Sequence, residues 1–418
     1  MDEYASAATA LRCRESGSEY ELTARYVCEV SFGPLEVVYD MERIAASVSR
    51  ERIASGPASI WRYRDFLPCA PTGVARGIPT GMTPLIPAPR LAEALGLGEV
   101  WVKNDAANPT HSFKDRVVSV ALEKAEELGF SVAACASTGN LANAVAAHAA
   151  ARGMTSFVFV PADLEPQKII ATGVYGATLL TVDGTYDDVN RLCMQLADDR
   201  DWAFVNVNLR PYYSEGSKTL AYEVAEQLGW TLPDRCIVPI ASGSLFTKIN
   251  RGFADLVQTG LVDAAPAPRL DGAQATGCAP VADAWDQGRD FIAPVRPSGI
   301  AKSLAIGNPA DGVFALDVAR ATGGSITAVD DDEIRDGILL LARTTGIFTE
   351  TAGGVTVATL ARLAREGDIG RDERVVVYIT GDGLKTLDAV ADRVVTTPIE
   401  ATVASFEAAT GQEAPTWR

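Results

Sequence analysis

Histidine is almost missing from this chain. Only His111 and His148 occur in 418 residues, and neither lies near the N-terminal cysteines. Cysteine is limited to seven residues, at 13, 28, 69, 135, 193, 236 and 278. An odd number scattered along so long a chain does not describe a disulfide framework. Positive charge is in deficit: 37 Lys and Arg stand against 54 Asp and Glu, a net charge of −17. That balance excludes nonspecific binding to nucleic acid, whose phosphate backbone needs a basic face. It leaves anionic small molecules open, because local donors suffice to hold them. No run of about 18 apolar residues is present, so no membrane-spanning helix is expected. The opening "MDEYASAATA" lacks the basic-then-apolar order of a signal peptide. The expectation is a cytoplasmic protein with neither membrane nor nucleic-acid partner.

What is present is ordinary in bulk, 47% hydrophobic and 22% charged, and long enough for two or three packed domains. From residue 99 onward short apolar runs alternate with helix-length text. "EVWVKND", "SVAACA", "TSFVFVP", "ATLLTVD", "AFVNVN", "CIVPIA", "PRLDGAQ" and "ERVVVYIT" read as strands. "KDRVVSVALEKAEELG" carries a helical apolar stripe closed by Gly129, and "NLANAVAAHAAARG" reads as a helix of small residues ending at Gly153. This order predicts an α/β fold with parallel sheets covered on both faces, and ligands at the carboxyl ends of strands. The expected division is a leader over 1–75, a large domain over 76–130 and 210–400, a small domain over 131–209, and a tail over 401–418. The prolines of "LPCAPTGVARGIPTGMTPLIPAP" favour extended backbone between leader and body.

The leader holds two Cys-x-x-Ser turns, Cys13 to Ser16 and Cys28 to Ser31, spaced like a zinc ribbon with half its ligands replaced. Structural zinc takes four ligands, and a neutral serine oxygen is a poor substitute for thiolate. No metal is therefore expected. A small β-piece with Gly17 and Gly33 at its corners is expected instead.

Four loops that follow strands carry suitable donors. In "NPTHSFKDR", Lys114 heads a helix beside Phe113, where partial burial can make an amine nucleophilic; a solvated surface lysine fits the same pattern. In "ASTGN", Ser137, Thr138, Gly139 and Asn140 offer hydroxyls, an amide and free N–H groups for an anion, or simply cap the next helix. "IASGSLFTK" surrounds a helix start with Ser242, Gly243, Ser244 and Thr247, a phosphate cup without the spacing of a Walker loop. In "YITGDGLK", Thr380 ends a strand, and its hydroxyl suits a neutral ring nitrogen. An amine, an anion cradle, a phosphate cup and a ring-nitrogen partner are together what pyridoxal phosphate requires.

These motifs, with "IGNP" at 306–309 and "TETAGGVTVA" at 349–358, resemble the threonine synthases among the fold-type II, tryptophan synthase β-like pyridoxal-phosphate enzymes. The resemblance runs from about residue 11 to 392 and includes the leader, since one subgroup carries a Cys-rich ribbon at its start. It implies pyridoxal 5′-phosphate as cofactor and Lys114 as its Schiff-base lysine and proton shuttle. Phe113 and Asn140 would flank the ring, with Asn140 bonding the 3′-oxygen. Ser242, Gly243, Ser244 and the Leu245 backbone would hold the cofactor phosphate, and Thr380 would face the ring nitrogen. Ser137 and Thr138 would bind the α-carboxylate or, in part, the phosphate of a small phosphorylated amino acid. Glu350 would lie near the cofactor without an assigned role, and a homodimer is implied. The implied reaction converts O-phospho-L-homoserine and water to L-threonine and phosphate.

The chain departs from the commoner family text at Leu141, Ala142 and Ala305, and in "NVNLRPYYSEGSKT", where Arg210 and Lys218 could supply positive charge. The alternatives that stay open are β-replacement on O-phosphoserine, as in cysteate synthases, and dehydration of threonine or serine.

Overall fold

The computed structural model describes residues 6–69, 77–137, 139–162, 164, 166–184, 186–263 and 266–411. Three strands open the chain: β1 (Ala8–Cys13), β2 (Glu19–Tyr20) and β3 (Leu35–Tyr39). Next come β4 (Leu85–Pro87) and β5 (Glu99–Asn104). A second group is β6 (Val132–Ala136), β7 (Thr155–Pro161), β8 (Thr178–Val182) and β9 (Ala203–Phe204). The last four are β10 (Arg235–Pro239), β11 (Arg269–Ala275), β12 (Ile326–Val329) and β13 (Arg374–Ile379). They build an antiparallel sheet β2-β1-β3, a six-stranded sheet β12-β11-β10-β13-β5-β4 and a four-stranded sheet β8-β7-β6-β9.

Both larger sheets are parallel except where β4 runs antiparallel along β5. That edge lies in the proline-rich connection, and Pro87 is tolerated there because an edge strand need not donate on its outer side. The inner strands are buried on both faces, as continuous runs such as "VVVYI" require. One apolar cluster joins Val102, Val375 and Val377 to Val355 and Leu360, while a second joins Cys236, Val238 and Val376 to Ile249 and Phe253. Helices thus cover the central sheet on each side.

"AFVNVN" yields only two paired residues. The side chains of its two asparagines take over the backbone: Asn208 accepts from the Phe204 N–H at 2.9 Å and donates to the Trp202 carbonyl at 3.0 Å, and Asn206 donates to the Ala136 carbonyl at 3.2 Å. Local side-chain bonds of this kind turn the chain out of the ladder.

The N-terminal sheet shares a core with the body. Leu11, Cys13, Cys28 and Val37 pack with Leu209, Tyr212, Tyr222 and Leu256. Tyr39 donates to Glu215 at 2.9 Å, and Tyr212 donates to the Thr23 carbonyl at 2.9 Å. Gly17 turns its corner with φ +72° as expected, but the second corner differs. Phe32, with φ 58°, takes the left-handed conformation there, and Gly33 makes room beside the Glu15 side chain instead.

Candidate active site

The order β10-β13-β5 places three carboxyl ends side by side. Ile237 lies opposite Val377, and Ile379 lies opposite Asn104, all running in the same direction. The loops that leave these ends contain Ser242–Ser244, Thr380–Lys385 and Asp105–Lys114. Sequence motifs more than 100 residues apart therefore meet at one edge of one sheet.

The junction is zipped by backbone bonds. The Phe113 N–H donates to the Thr380 carbonyl at 2.9 Å, and the Asp382 N–H donates to the His111 carbonyl at 3.1 Å. His111 reverses the loop with φ 62°. Lys114 then opens the helix Lys114–Glu127. Its amine donates to the Tyr213 hydroxyl at 2.9 Å and lies over the Phe113 ring, 4.4 Å from the centroid. Behind it, Asp115 is fully buried and accepts from the Thr110 N–H at 2.8 Å and the Thr110 hydroxyl at 2.9 Å, and it meets His148 Nε2 at 3.0 Å. These bonds fix the start of the helix, where Lys114 stays half-buried beside Phe113 and Tyr213.

The helix Ser244–Gln258 has no side-chain cap, so its first N–H groups, including that of Leu245, lack intrahelical acceptors. Gly243 precedes it with φ +93°, and a Cβ there would meet the Asp311 carbonyl oxygen at 2.6 Å. Only glycine fits both constraints. Ser242 and Ser244 flank this turn and are half-buried. Thr380 is 3% exposed, and its hydroxyl makes no hydrogen bond among the described residues. An uncapped helix N-terminus, an uncommitted hydroxyl at a strand end and a lysine amine in the same cleft match the phosphate, ring nitrogen and aldehyde of pyridoxal phosphate. The residues fit the group.

The loop after β6 meets this edge from the other sheet. Asn140 donates through Nδ2 to both oxygens of Glu350, at 3.1 and 3.0 Å, and accepts through Oδ1 from Lys385 at 2.8 Å. Burial pushes the Glu350 carboxyl up from its ordinary value, against the Asn140 hydrogen bond and the nearby Lys385 and Lys114 charges. Burial likewise lowers the Lys385 ammonium, against the attraction of Glu350. Ser137 accepts at its hydroxyl from the Gly139 and Ala142 N–H groups, both at 3.3 Å, which leaves its proton to donate. Thr138 lies outside the described residues.

Two expected sources of positive charge turn elsewhere. Arg210 pairs with Asp311 at 2.5 Å. Lys218 is fully buried between Glu215 at 2.8 Å and Asp255 at 3.2 Å. The sequence reading missed Tyr213 and the part played by Lys385. Lys385 was visible within "TGDGLK", but nothing in "RPYYSE" distinguishes Tyr213, which faces Lys114, from Tyr212, which is buried against the N-terminal sheet.

Comparison with known proteins agrees with this geometry. A family model described as "Pyridoxal-phosphate dependent enzyme" matches residues 78–381. The chain is 39% identical to a threonine synthase of Methanocaldococcus jannaschii, over 90% of this chain and 93% of that one. It is 37% identical to a threonine synthase of Methanosarcina acetivorans, over 91% and 93%. Among solved structures, maize serine racemase superposes with a TM-score of 0.61 at 20% identity, covering 75% of this chain and 94% of that one. The processed form of threonine deaminase isoform 2 from Solanum lycopersicum gives 0.63 at 19%, covering 88% and 91%. These structures share the fold-type II architecture. The chain belongs to the pyridoxal-phosphate dependent enzymes and, within them, to the threonine synthase family.

Proposed function

We propose that this protein is a threonine synthase that converts O-phospho-L-homoserine and water to L-threonine and inorganic phosphate. The observation that carries the reading is the convergence of Lys114, the Ser242–Ser244 turn and Thr380 at adjacent strand ends. Relatives named threonine synthase, aligned over nine tenths of the chain, narrow the substrate to this class.

Pyridoxal phosphate, when bound, supplies an electron sink for carbanions at the substrate's α-carbon and, by conjugation, further along its chain. Lys114 would hold it covalently through Nζ, with the Ser242, Gly243, Ser244 and Leu245 donors on its phosphate. Thr380 would bond its ring nitrogen through a neutral hydroxyl, while Phe113 and Asn140 would flank the ring. With substrate bound, the Lys114 amine would take the α-proton and is placed to take a β-proton as well. The γ-carbon–oxygen bond then breaks, and phosphate leaves with the bonding electrons. Lys114 returns one proton to the γ-carbon and one to the α-carbon, while water adds its oxygen at the β-carbon and gives its remaining proton to the departed phosphate. Ser137 and Thr138 would bind the α-carboxylate through hydroxyl and N–H donors. Repeated proton transfers favour one mobile amine kept near its work by a neighbour such as Tyr213.

Phosphate release and product identity, measured with O-phospho-L-homoserine, O-phospho-L-serine, L-threonine and L-serine, test the substrate. Threonine formed from the first supports the reading. Turnover of O-phosphoserine or deamination of threonine alone overturns it. Separate sheets support a large domain over 76–130 and 210–400 and a small one over 131–209. The free, buried cysteines support a reducing, cytoplasmic setting. Exposed Val394, Val395, Ile399 and Phe406 support a homodimer, which light scattering on the purified protein checks.

A further inference from the structure

The Asn140 amide is clamped between two groups of opposite charge. Lys385 donates to its Oδ1 at 2.8 Å and to the Thr110 carbonyl at 2.6 Å. Glu350, which is 3% exposed, accepts from its Nδ2 at 3.1 and 3.0 Å. An ammonium can only donate and a carboxylate can only accept, so the amide has one possible orientation. Flipping it would set N–H groups against Lys385 and a carbonyl against Glu350.

The geometry also divides the donors. The two N–H bonds of an amide diverge too widely to point at one carboxylate together. Nearly equal distances to the two Glu350 oxygens mean that one N–H points between them. The second N–H has no partner among the described residues. The clamp itself is rigidly mounted: the Glu350 N–H donates to the Gly381 carbonyl at 3.1 Å, next to Thr380. A Cβ at Gly381 would run into the Glu350 carboxylate.

We propose that Glu350 and Lys385 are positioning residues that lock the Asn140 amide with its single uncommitted N–H toward the 3′-oxygen of bound pyridoxal phosphate. The proposal rests on the reading of Asn140 as the partner of that oxygen. Lys385 on Oδ1 polarises the amide and strengthens its remaining donor. Glu350 prevents rotation, so the bond to the ring costs no reorganisation when the cofactor arrives. The groups that set the charge of this clamp are Lys114 and Asp382 around Glu350, and Asp115 and Asp382 around Lys385.

The test uses Asn140→Ala, Glu350→Gln, Lys385→Met, Lys385→Arg and the Glu350→Gln/Lys385→Met double variant. Each is stripped of cofactor, titrated with pyridoxal phosphate and, once loaded, scanned for visible absorbance against pH, with thermal melting as a control for folding. Glu350→Gln and Lys385→Met are each expected to weaken cofactor binding by about tenfold, the effect of one charge-assisted hydrogen bond. Each should also move the pH midpoint of the absorbance change. The double variant should be no worse than the weaker single, because both act through one amide, and Lys385→Arg should restore part of the loss. Additive effects in the double variant overturn the clamp. So do unchanged affinity and midpoint in both single variants while Asn140→Ala alters them. An unaltered Asn140→Ala instead removes the underlying reading of Asn140. If Glu350→Gln does not fold, the contrast between Lys385→Met and Lys385→Arg decides, and indistinguishable spectra in that pair overturn the proposal.

Discussion

At the scale of single residues, the site depends on a few atoms whose neighbours restrict them. Lys114 is the one amine that the sequence motif and the cleft both select. Lys114→Ala is expected to reduce phosphate release by about a thousandfold or more, since one group handles several proton transfers. Retained turnover would remove the mechanism. Tyr213 touches the same amine at 2.9 Å and has no covalent duty. Tyr213→Phe is expected to lower kcat by about tenfold, the value of one hydrogen bond to a charged group, with an unchanged melting temperature. Steady-state kinetics beside a melting curve separate that outcome from simple destabilisation. Gly243 faces a different limit, because its φ of +93° and the Asp311 carbonyl leave no place for a methyl group. Gly243→Ala should lose cofactor on gel filtration while Lys114 remains intact.

At the scale of elements, the N-terminal sheet has the frame of a metal ribbon with half its ligands replaced. The Ser16 N–H still donates to Cys13 Sγ at 3.4 Å, and the Val30 N–H donates to Cys28 Sγ at 3.3 Å. The replaced positions close the ring: Ser31 Oγ lies 3.2 Å from Cys13 Sγ, and Ser16 Oγ lies 3.4 Å from Cys28 Sγ. Hydrogen bonding across this ring does what zinc does elsewhere, holding two turns together. The Ser16→Cys/Ser31→Cys double variant should therefore bind one zinc per chain, measured by elemental analysis after dialysis. Failure to bind would mean that the turns have drifted from tetrahedral geometry. The apolar stripe and Gly129 made the Lys114–Glu127 helix legible from the sequence. The two-residue β9 was not legible, because asparagine side chains, rather than hydrophobic pattern, end it.

At the scale of the whole molecule, two buried ionic clusters tie the layers together. Glu223 accepts from Lys103 at 2.6 Å and Arg116 at 2.5 Å, joining β5 to the start of the Lys114 helix. Glu215 pairs with Lys218 and Lys248 and accepts from Tyr39, joining the N-terminal sheet to the body. Burial alone would raise both carboxyls, but the paired cations outweigh it and bring each down to about 2 from an ordinary 4.5. Groups depressed in this way contribute stability that is present above the ordinary value and lost as pH falls through the folded one. The urea midpoint should hold from neutral pH to about 5 and then drop steeply toward pH 2. A flat midpoint across that range would show that the pairs contribute nothing to acid stability.

By itself the sequence determined the α/β class and the order of most strands and helices, though not β4 or β12, and pointed to four loops with donors suited to pyridoxal-phosphate chemistry. Those features are local: apolar period, helix punctuation and donor-rich text after a strand are all legible within about 15 residues. The tertiary structure decided which charges reach the cleft. Arg210 and Lys218 look equally available in the sequence, yet Asp311, Glu215 and Asp255 claim them. Lys385 and Glu350 lie in motifs the sequence shows, but nothing local says that they meet on one amide, 210 residues from Glu350 and 245 from Lys385. Chain pattern specifies which segments pair, because backbone geometry and burial act over short stretches. The partner of a long polar side chain is set by which distant group arrives within 3 Å, and that is fixed only once the sheets have packed.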